Sequence, residues 1–353
     1  MTAPTRCASA PCSGHAPMPE TRSEDRSDHV VLVGDIGGTY ARFALARNGR
    51  LLDTPQRAER AAFPDLASAC RAHLSAHAGG LRIDGAAIAA AGRVQDGRIA
   101  MTNADWAVEP AALAAELGLR ERRVRVLNDF GALAWSLPTL AADELLPVSG
   151  GGAARAGRSA PVADPSGHRV VVGPGSGLGV AALLRTAQGW QPLATEGGHA
   201  SAAPETELEQ AAVALATARF GRASWERLLS GPGLALLHEA ACLQADRPAP
   251  TGGAAAALEA CTRGDAPALR AARAFVELLG AFAGDLALLF DATGGIVIGG
   301  GIVPRIAAVL PLDGLRTRFE AKGRFAGWLE TVPVGVLASP FAALRGAAVA
   351  YRG

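Results

Sequence analysis

The stretch His29-Val-Val-Leu-Val-Gly34-Asp35-Ile36-Gly37-Gly38-Thr39 decides how the rest of the chain is read. An unbroken aliphatic run predicts a buried strand that ends on an acid, followed by a turn of two glycines and a hydroxyl. A turn without side chains lets backbone N–H groups point at a polyphosphate, and Asp35 could hold Mg2+ through water. The same residues also fit an ordinary hairpin. Tyr40-Ala-Arg-Phe-Ala-Leu-Ala alternates as a second strand, and Asn48-Gly49 is a strong hairpin turn signal. By itself the stretch leaves both readings open.

The pattern recurs twice. Arg169-Val-Val-Val-Gly173 leads into Gly173-Pro-Gly175-Ser176-Gly177-Leu-Gly179, and Gly295-Ile-Val-Ile leads into Gly299-Gly300-Gly301-Ile302-Val-Pro-Arg305. Neither meets the G-x-G-x-x-G spacing of the dinucleotide fold. The third would let a flat purine pass close to backbone. Three such loops, spread over the whole chain, must converge to serve a single ligand, which predicts two α/β lobes facing a cleft. Around them the periodicity predicts helices over 63–77, 110–119, 205–220, 224–245 (broken at 231–233) and 266–290. Buried strands are expected at 85–91 and 124–128. The stretch 150–167 reads as an exposed loop, and a strand at 332–337 and a helix from Ala342 close the chain.

Composition narrows the chemistry. The chain has 353 residues, 49% hydrophobic and 19% charged, with a net charge of +1. That length and apolar content suit two lobes with real cores. The near-zero charge argues against nucleic acid or an acidic membrane surface as partner. The most apolar stretch, 275–302, is interrupted by Asp285, Asp291 and glycines, so no membrane span is expected. Five scattered cysteines include no C-x-x-C pair, which points to a reducing, cytoplasmic compartment without a zinc knuckle. Residues 1–28 lack the apolar core of a signal peptide and read as a disordered tail. Lys322 is the only lysine, and it does not stand in G-x-x-x-x-G-K-[ST]. A nucleotide would therefore be held by backbone N–H groups and metal rather than by a P-loop lysine.

Chemistry-bearing residues stand elsewhere. Asn128-Asp129 falls at a strand end, where a carboxylate can take a proton from an alcohol attacking phosphorus, or cap the following helix. Thr195-Glu196-Gly-Gly-His199 offers an acid and an imidazole in a loop, a pair suited to sugar hydroxyls. Glu226 reads on residue physics as a helical surface acid. Asn103, in Met101-Thr-Asn-Ala-Asp-Trp106, is a polar group in a turn.

Taken in order, the motifs resemble the bacterial glucokinase family of the group without a zinc-binding cysteine cluster. The resemblance runs from about Val30 onward. It is carried by Leu32-Val-Gly-Asp-Ile-Gly-Gly-Thr39, Met101-Thr-Asn103, Leu127-Asn-Asp-Phe130, Gly175-Ser-Gly-Leu-Gly179, Glu196-Gly-Gly-His199, Leu229-Ser-Gly-Pro-Gly-Leu234 and Gly299-Gly-Gly-Ile-Val-Pro-Arg305. Arg318-Phe-Glu-Ala-Lys-Gly-Arg-Phe325 resembles the family's C-terminal signature. The resemblance implies the two-domain actin-like (ribonuclease H-like) sugar-kinase fold, with glucose and ATP meeting in an interdomain cleft and a homodimeric assembly. It implies a small domain of 29–138 plus 333–353 and a large domain of 139–332. By the same resemblance Asp129 is general base on the glucose 6-hydroxyl. Asn103, Asn128, Glu196, His199 and Glu226 contact the sugar. Gly34 to Thr39 and Gly175 to Gly177 hold ATP phosphates, Gly299 to Ile302 lies near the adenosine, and Asp35 orients hydrated Mg2+. A kinase of another hexose or amino sugar, or a sugar-sensing regulator on the same fold, are the alternatives. Residues 1–28 are too short and polar for the DNA-binding module such regulators carry. One position departs from the family: Tyr40 stands where an asparagine usually follows Gly-Gly-Thr.

Overall fold

The computed structural model describes residues 29–101, 106–148 and 163–352. The expectations for 1–28, for Asn103 and for the loop as far as residue 162 fall outside these residues. In chain order, β1 (Val30–Ile36) and β2 (Tyr40–Arg47) form a hairpin, followed by β3 (Arg50–Leu51), β4 (Gln56–Glu59), α1 (Leu66–His77) and β5 (Gly85–Ala90). A small ribbon of β6 (Ile99–Ala100) and β7 (Ala107–Val108) precedes α2 (Pro110–Leu117), β8 (Val124–Asn128), α3 (Asp129–Ser136) and β9 (Leu145–Pro147). Next come β10 (Arg169–Pro174), β11 (Leu178–Thr186), β12 (Gly189–Thr195), α4 (Glu207–Phe220), α5 (Trp225–Leu228), α6 (Gly231–Leu243), α7 (Gly253–Thr262) and α8 (Ala266–Phe290). The last elements are β13 (Gly295–Ile298), α9 (Ile302–Ala307), α10 (Asp313–Glu320), α11 (Ala326–Leu329), β14 (Val334–Leu337) and α12 (Ala342–Arg352).

Two sheets repeat one plan. The first runs β3-β2-β1-β5-β8 with β4 also on β2, and the second runs β12-β11-β10-β13-β14-β9. In each, a strand-glycine-strand hairpin (β1 with β2, β10 with β11) is joined by parallel strands on the other edge of its first strand. Strand alternation assigns the layers. Leu32 and Ile36 face an outer core with α1 and α2, whereas Val31 and Val33 face an inner one shared with α3 and α12. That inner core also takes Val171, Ala181 and Leu183 of the second sheet. The faces of Val170, Val172 and Val180 pack instead against the large helical layer that includes α4, α6, α8 and α10. Thus α3 and α12 form a middle layer between the sheets, as burial on both faces of parallel strands requires.

Local chemistry explains most element boundaries. Asn48 and Gly49 adopt φ of 53° and 74°, the left-handed pair of a type I′ hairpin. The first helix starts at Leu66 rather than at 63, because Pro64 keeps the chain extended and the Asp65 carboxylate accepts the Ser68 N–H at 2.7 Å. Residues 231–233 open α6 rather than interrupt a helix, with Ser230 Oγ accepting from Gly233 N–H and Pro232 in the first turn. The return to the first lobe comes later than residue 333. β14 pairs with β13 and β9 in the second sheet, and α12 makes the crossing. Among the described residues no helix is long and apolar enough to cross a membrane. Cys70, Cys242 and Cys261 are buried free thiols.

Candidate active site

The expected catalytic carboxylate sits at the junction of β8 and α3. Asn128, not Asp129, caps the helix: its Oδ1 accepts the Gly131 N–H at 3.0 Å, and its Nδ2 donates to the Gly92 carbonyl at 2.9 Å. Those bonds fix the strand end and leave Asp129 as the first helical residue. One Asp129 oxygen accepts its neighbour Phe130's N–H at 2.9 Å. Burial pushes the Asp129 carboxyl up to about 6; the Phe130 N–H opposes the shift and the nearby charge of Asp35 adds to it.

Asp35, next to last in β1, lies opposite Arg42 in register, and Arg42 donates to its carboxylate at 3.0 Å. Burial raises the Asp35 carboxyl despite that partner. Asp35 shares one face of the first sheet with Val31 and Val33, the face turned to α3.

Two contacts bring the glycine loops to Asp129. The Phe130 ring packs against Gly173 and Gly179 of the β10–β11 hairpin; a Cβ at Gly173 would come within 2.7 Å of it. Gly300, at φ +82°, lies so close to Pro174 that a Cβ would overlap the Pro174 carbonyl. The third loop therefore rests on the second, and the second on the residue beside Asp129. The Gly175 carbonyl also accepts the Gly231 N–H at 2.8 Å, tying the start of α6 to the same place.

The glycines then divide by cause. Gly34 and Gly299 pack closely against the Ile88 and Leu133 side chains, and Gly177 makes room for the Glu226 carboxylate, which a Cβ would approach to 2.6 Å. At Gly37 a Cβ would lie 3.2 Å from the Tyr40 carbonyl. Gly38, Gly175 and Gly301, one in each loop, have ordinary φ, and a Cβ there would meet nothing within 4 Å. Neither the fold nor the packing demands glycine at these three positions. Glycine there leaves the backbone of each loop open to close approach. Ile36 and Ile302, expected at the nucleotide, are buried at 1% and 8% exposure in the outer and large-lobe cores, so only their backbone can face it. The hydroxyl-bearing Thr39 and Ser176 are exposed at the turn tips.

Glu196, His199 and Glu226, expected at the sugar, also come together. The His199 imidazole lies between two carboxylates, with Nε2 3.9 Å from Glu196 Oε2 and Nδ1 3.9 Å from Glu226 Oε1. Both distances exceed hydrogen-bond reach, so each group keeps capacity for an outside hydroxyl. Glu226 is half-buried rather than the free surface acid its helix suggested. Its Oε2 accepts the Leu178 N–H at 3.0 Å, anchoring α5 to the second glycine hairpin. Sequence reasoning missed Arg57 and Arg60. The Arg57 guanidinium lies 3.4 Å over the Tyr40 ring, and Arg60 donates to the Gly38 carbonyl and lies 4.7 Å over the Trp106 ring. The signal that would find them is the pairing of β4 with β2, which no local pattern reveals.

No group of three metal-ligating side chains occurs among the described residues. The donor set still suits Mg2+ carried on a nucleotide, which keeps most of its waters and needs one or two nearby carboxylates. Asp35 is the carboxylate that would hold it.

A sequence model described as Glucokinase matches residues 32–353. A glucokinase of Chromobacterium violaceum is 42% identical over 318 residues, covering 90% of this chain and 88% of the relative. The crystal structure of a glucokinase from an Antarctic psychrotroph superposes with a TM-score of 0.79 at 32% identity, covering 91% of this chain and 98% of that one. A Streptomyces griseus glucokinase of the ROK family, solved with glucose and AMPPNP, has a TM-score of 0.58 at 23% identity, covering 90% and 98%.

Proposed function

The chain belongs to the bacterial glucokinase family, ATP-dependent kinases of glucose on the two-domain actin-like fold, and from that premise we propose how its own residues carry out the reaction. The observation that carries the reading is the seating of the second glycine hairpin on Phe130, next to Asp129, with Gly300 of the third loop against Pro174. Backbone N–H groups of the first two loops hold the ATP phosphates, and the Gly299–Gly301 backbone borders the adenosine. Glu196, His199 and Glu226 hold sugar hydroxyls, with Asn128 beside them and Asn103 from the neighbouring turn. That the Streptomyces griseus relative was solved with glucose and AMPPNP supports the pairing of ligands.

Asp129 accepts the proton of the glucose 6-hydroxyl as that oxygen attacks the γ-phosphorus. The O6–P bond forms, the bond to the β-phosphate oxygen breaks, and ADP leaves. Positioning and fixed N–H dipoles supply most of the acceleration. Mg2+ held near Asp35 would neutralise charge on the β- and γ-phosphates. A cytoplasmic setting and a homodimer complete the reading.

Three measurements test it. Glu226→Gln keeps the acceptor for Leu178 but loses the charge, so the glucose KM should rise about 10–100-fold with the ATP KM little changed. Equal effects on both substrates would detach Glu226 from the sugar. Rates across glucose, mannose, fructose and N-acetylglucosamine should favour glucose; similar kcat/KM for all four would sink the pocket assignment. The pH profile is the third. With its carboxyl raised to about 6, Asp129 is protonated below that pH and cannot accept the proton. Activity should therefore be level above about 6 and fall about tenfold per pH unit below it. Full activity retained at pH 5 would contradict the role.

A further inference from the structure

The first glycine turn is held from behind by one residue that no reading of the reaction has used. Arg60 follows β4, and two of its groups reach the turn. Its guanidinium donates to the Gly38 carbonyl, and its backbone N–H donates to the Thr39 carbonyl at 3.0 Å. In a trans peptide the C=O and the following N–H point in opposite directions. Holding both carbonyls on the Arg60 side therefore turns the N–H groups of Thr39 and Tyr40 the other way. The Gly37 N–H is committed within the turn, to the Tyr40 carbonyl at 2.9 Å. Orientation of the remaining peptide planes thus falls to Arg60.

The same guanidinium lies 4.7 Å over the ring of Trp106, which is buried at 5% exposure. A flat, delocalised cation can donate in its plane while stacking on an aromatic face, a combination an ammonium cannot reproduce. Lys322, the only lysine, is engaged with Asp285 at 2.6 Å.

We propose that Arg60 is a positioning residue for the nucleotide: by pinning the Gly38 and Thr39 peptide planes against Trp106, it keeps the N–H groups of the first glycine turn directed at the terminal phosphates of ATP. This rests on the reading of that turn as a phosphate site. Arg60 acts through the backbone and does not touch the reacting atoms. Its loss should weaken nucleotide binding while leaving glucose binding in place.

The test uses the full chain with Arg60→Ala, Arg60→Lys and Gly38→Val. ATP and glucose are varied separately, and ADP binding is followed by titration calorimetry. In Arg60→Ala the ATP KM should rise about tenfold and ADP affinity fall by a similar factor, the scale of one charge-assisted hydrogen bond. The glucose KM should stay within about threefold. Millimolar guanidinium ion should restore part of the ADP affinity to Arg60→Ala, which a merely loosened fold would not show. Arg60→Lys should recover binding only in part. Gly38→Val separates the two levels of the argument, since its Cβ enters open space. If Gly38→Val weakens ADP binding and Arg60→Ala does not, the role of Arg60 is overturned alone. If neither does, the phosphate reading of the turn falls with it.

Discussion

Asp129→Asn should lower kcat by about 10²–10⁴-fold while leaving the KM for glucose and for ATP within a few-fold of the parent. The substitution keeps an oxygen that can accept the Phe130 N–H, the bond seen at 2.9 Å, so the start of α3 should survive. What disappears is the one carboxylate raised to about 6 at this strand end. A buried carboxylate whose folded-state value is raised favours folding most when protonated, and this contribution is lost as pH rises through about 6. The variant should therefore be at least as thermally stable as the parent at pH 7.5 and should gain nothing on acidification. Near-normal turnover in Asp129→Asn, with the acid limb of the pH profile intact, would remove Asp129 from the chemistry.

Gly346→Ala should destabilise the protein by about 3 kcal/mol, well beyond the cost of an ordinary surface substitution. Alanine is ordinarily the better helix former. Here a Cβ would fall inside the envelope of the Ala132 carbonyl oxygen and lie 3.1 Å from the Ser136 nitrogen, so α12 and α3 would have to separate. Because α3 begins with Asp129, the shift should reach the active site. A drop in melting temperature of roughly 5–10 °C together with a fall in kcat is the expected result. Gly327→Ala, whose Cβ would meet nothing within 4 Å, is the control and should leave both unchanged. Equal behaviour of the two variants would show that the α3–α12 contact is softer than the geometry implies.

Much of this molecule was readable from local patterns. The run Val30 to Ile36 with Gly37-Gly38 is a strand and a turn, and its two repeats gave the two-lobed plan. Asn128-Asp129 could be placed at a strand end because Val124 to Leu127 is apolar and a helix pattern follows. Distant pairings were not readable. β4 joins β2 through polar residues, Gln56 to Glu59, that carry no alternation, so Arg57 and Arg60 had no visible address. The membership of β14 in the second sheet depends on β13 and β9, the latter nearly 190 residues away. The division of labour between Asn128 and Asp129 turned on which side chain met Gly131. Glu226 looked like a surface acid because the hairpin that receives it lies some 50 residues earlier.

The position of α12 has a consequence for how the chain is made. The helix packs on α3, β1, β2 and β5, closing a core whose strands begin at Val30, yet it starts only at Ala342. At about 5–20 residues per second, a ribosome takes roughly 15–60 s to cover that interval. Throughout it Val31, Val33, Ala87 and Ala89 lack their partner helix. The large lobe can bury its own core while still tethered, but the lobe synthesised first is completed last. Chaperone dependence in the cell should therefore track α12, and a nascent chain arrested before residue 342 should expose the inner face of its first sheet.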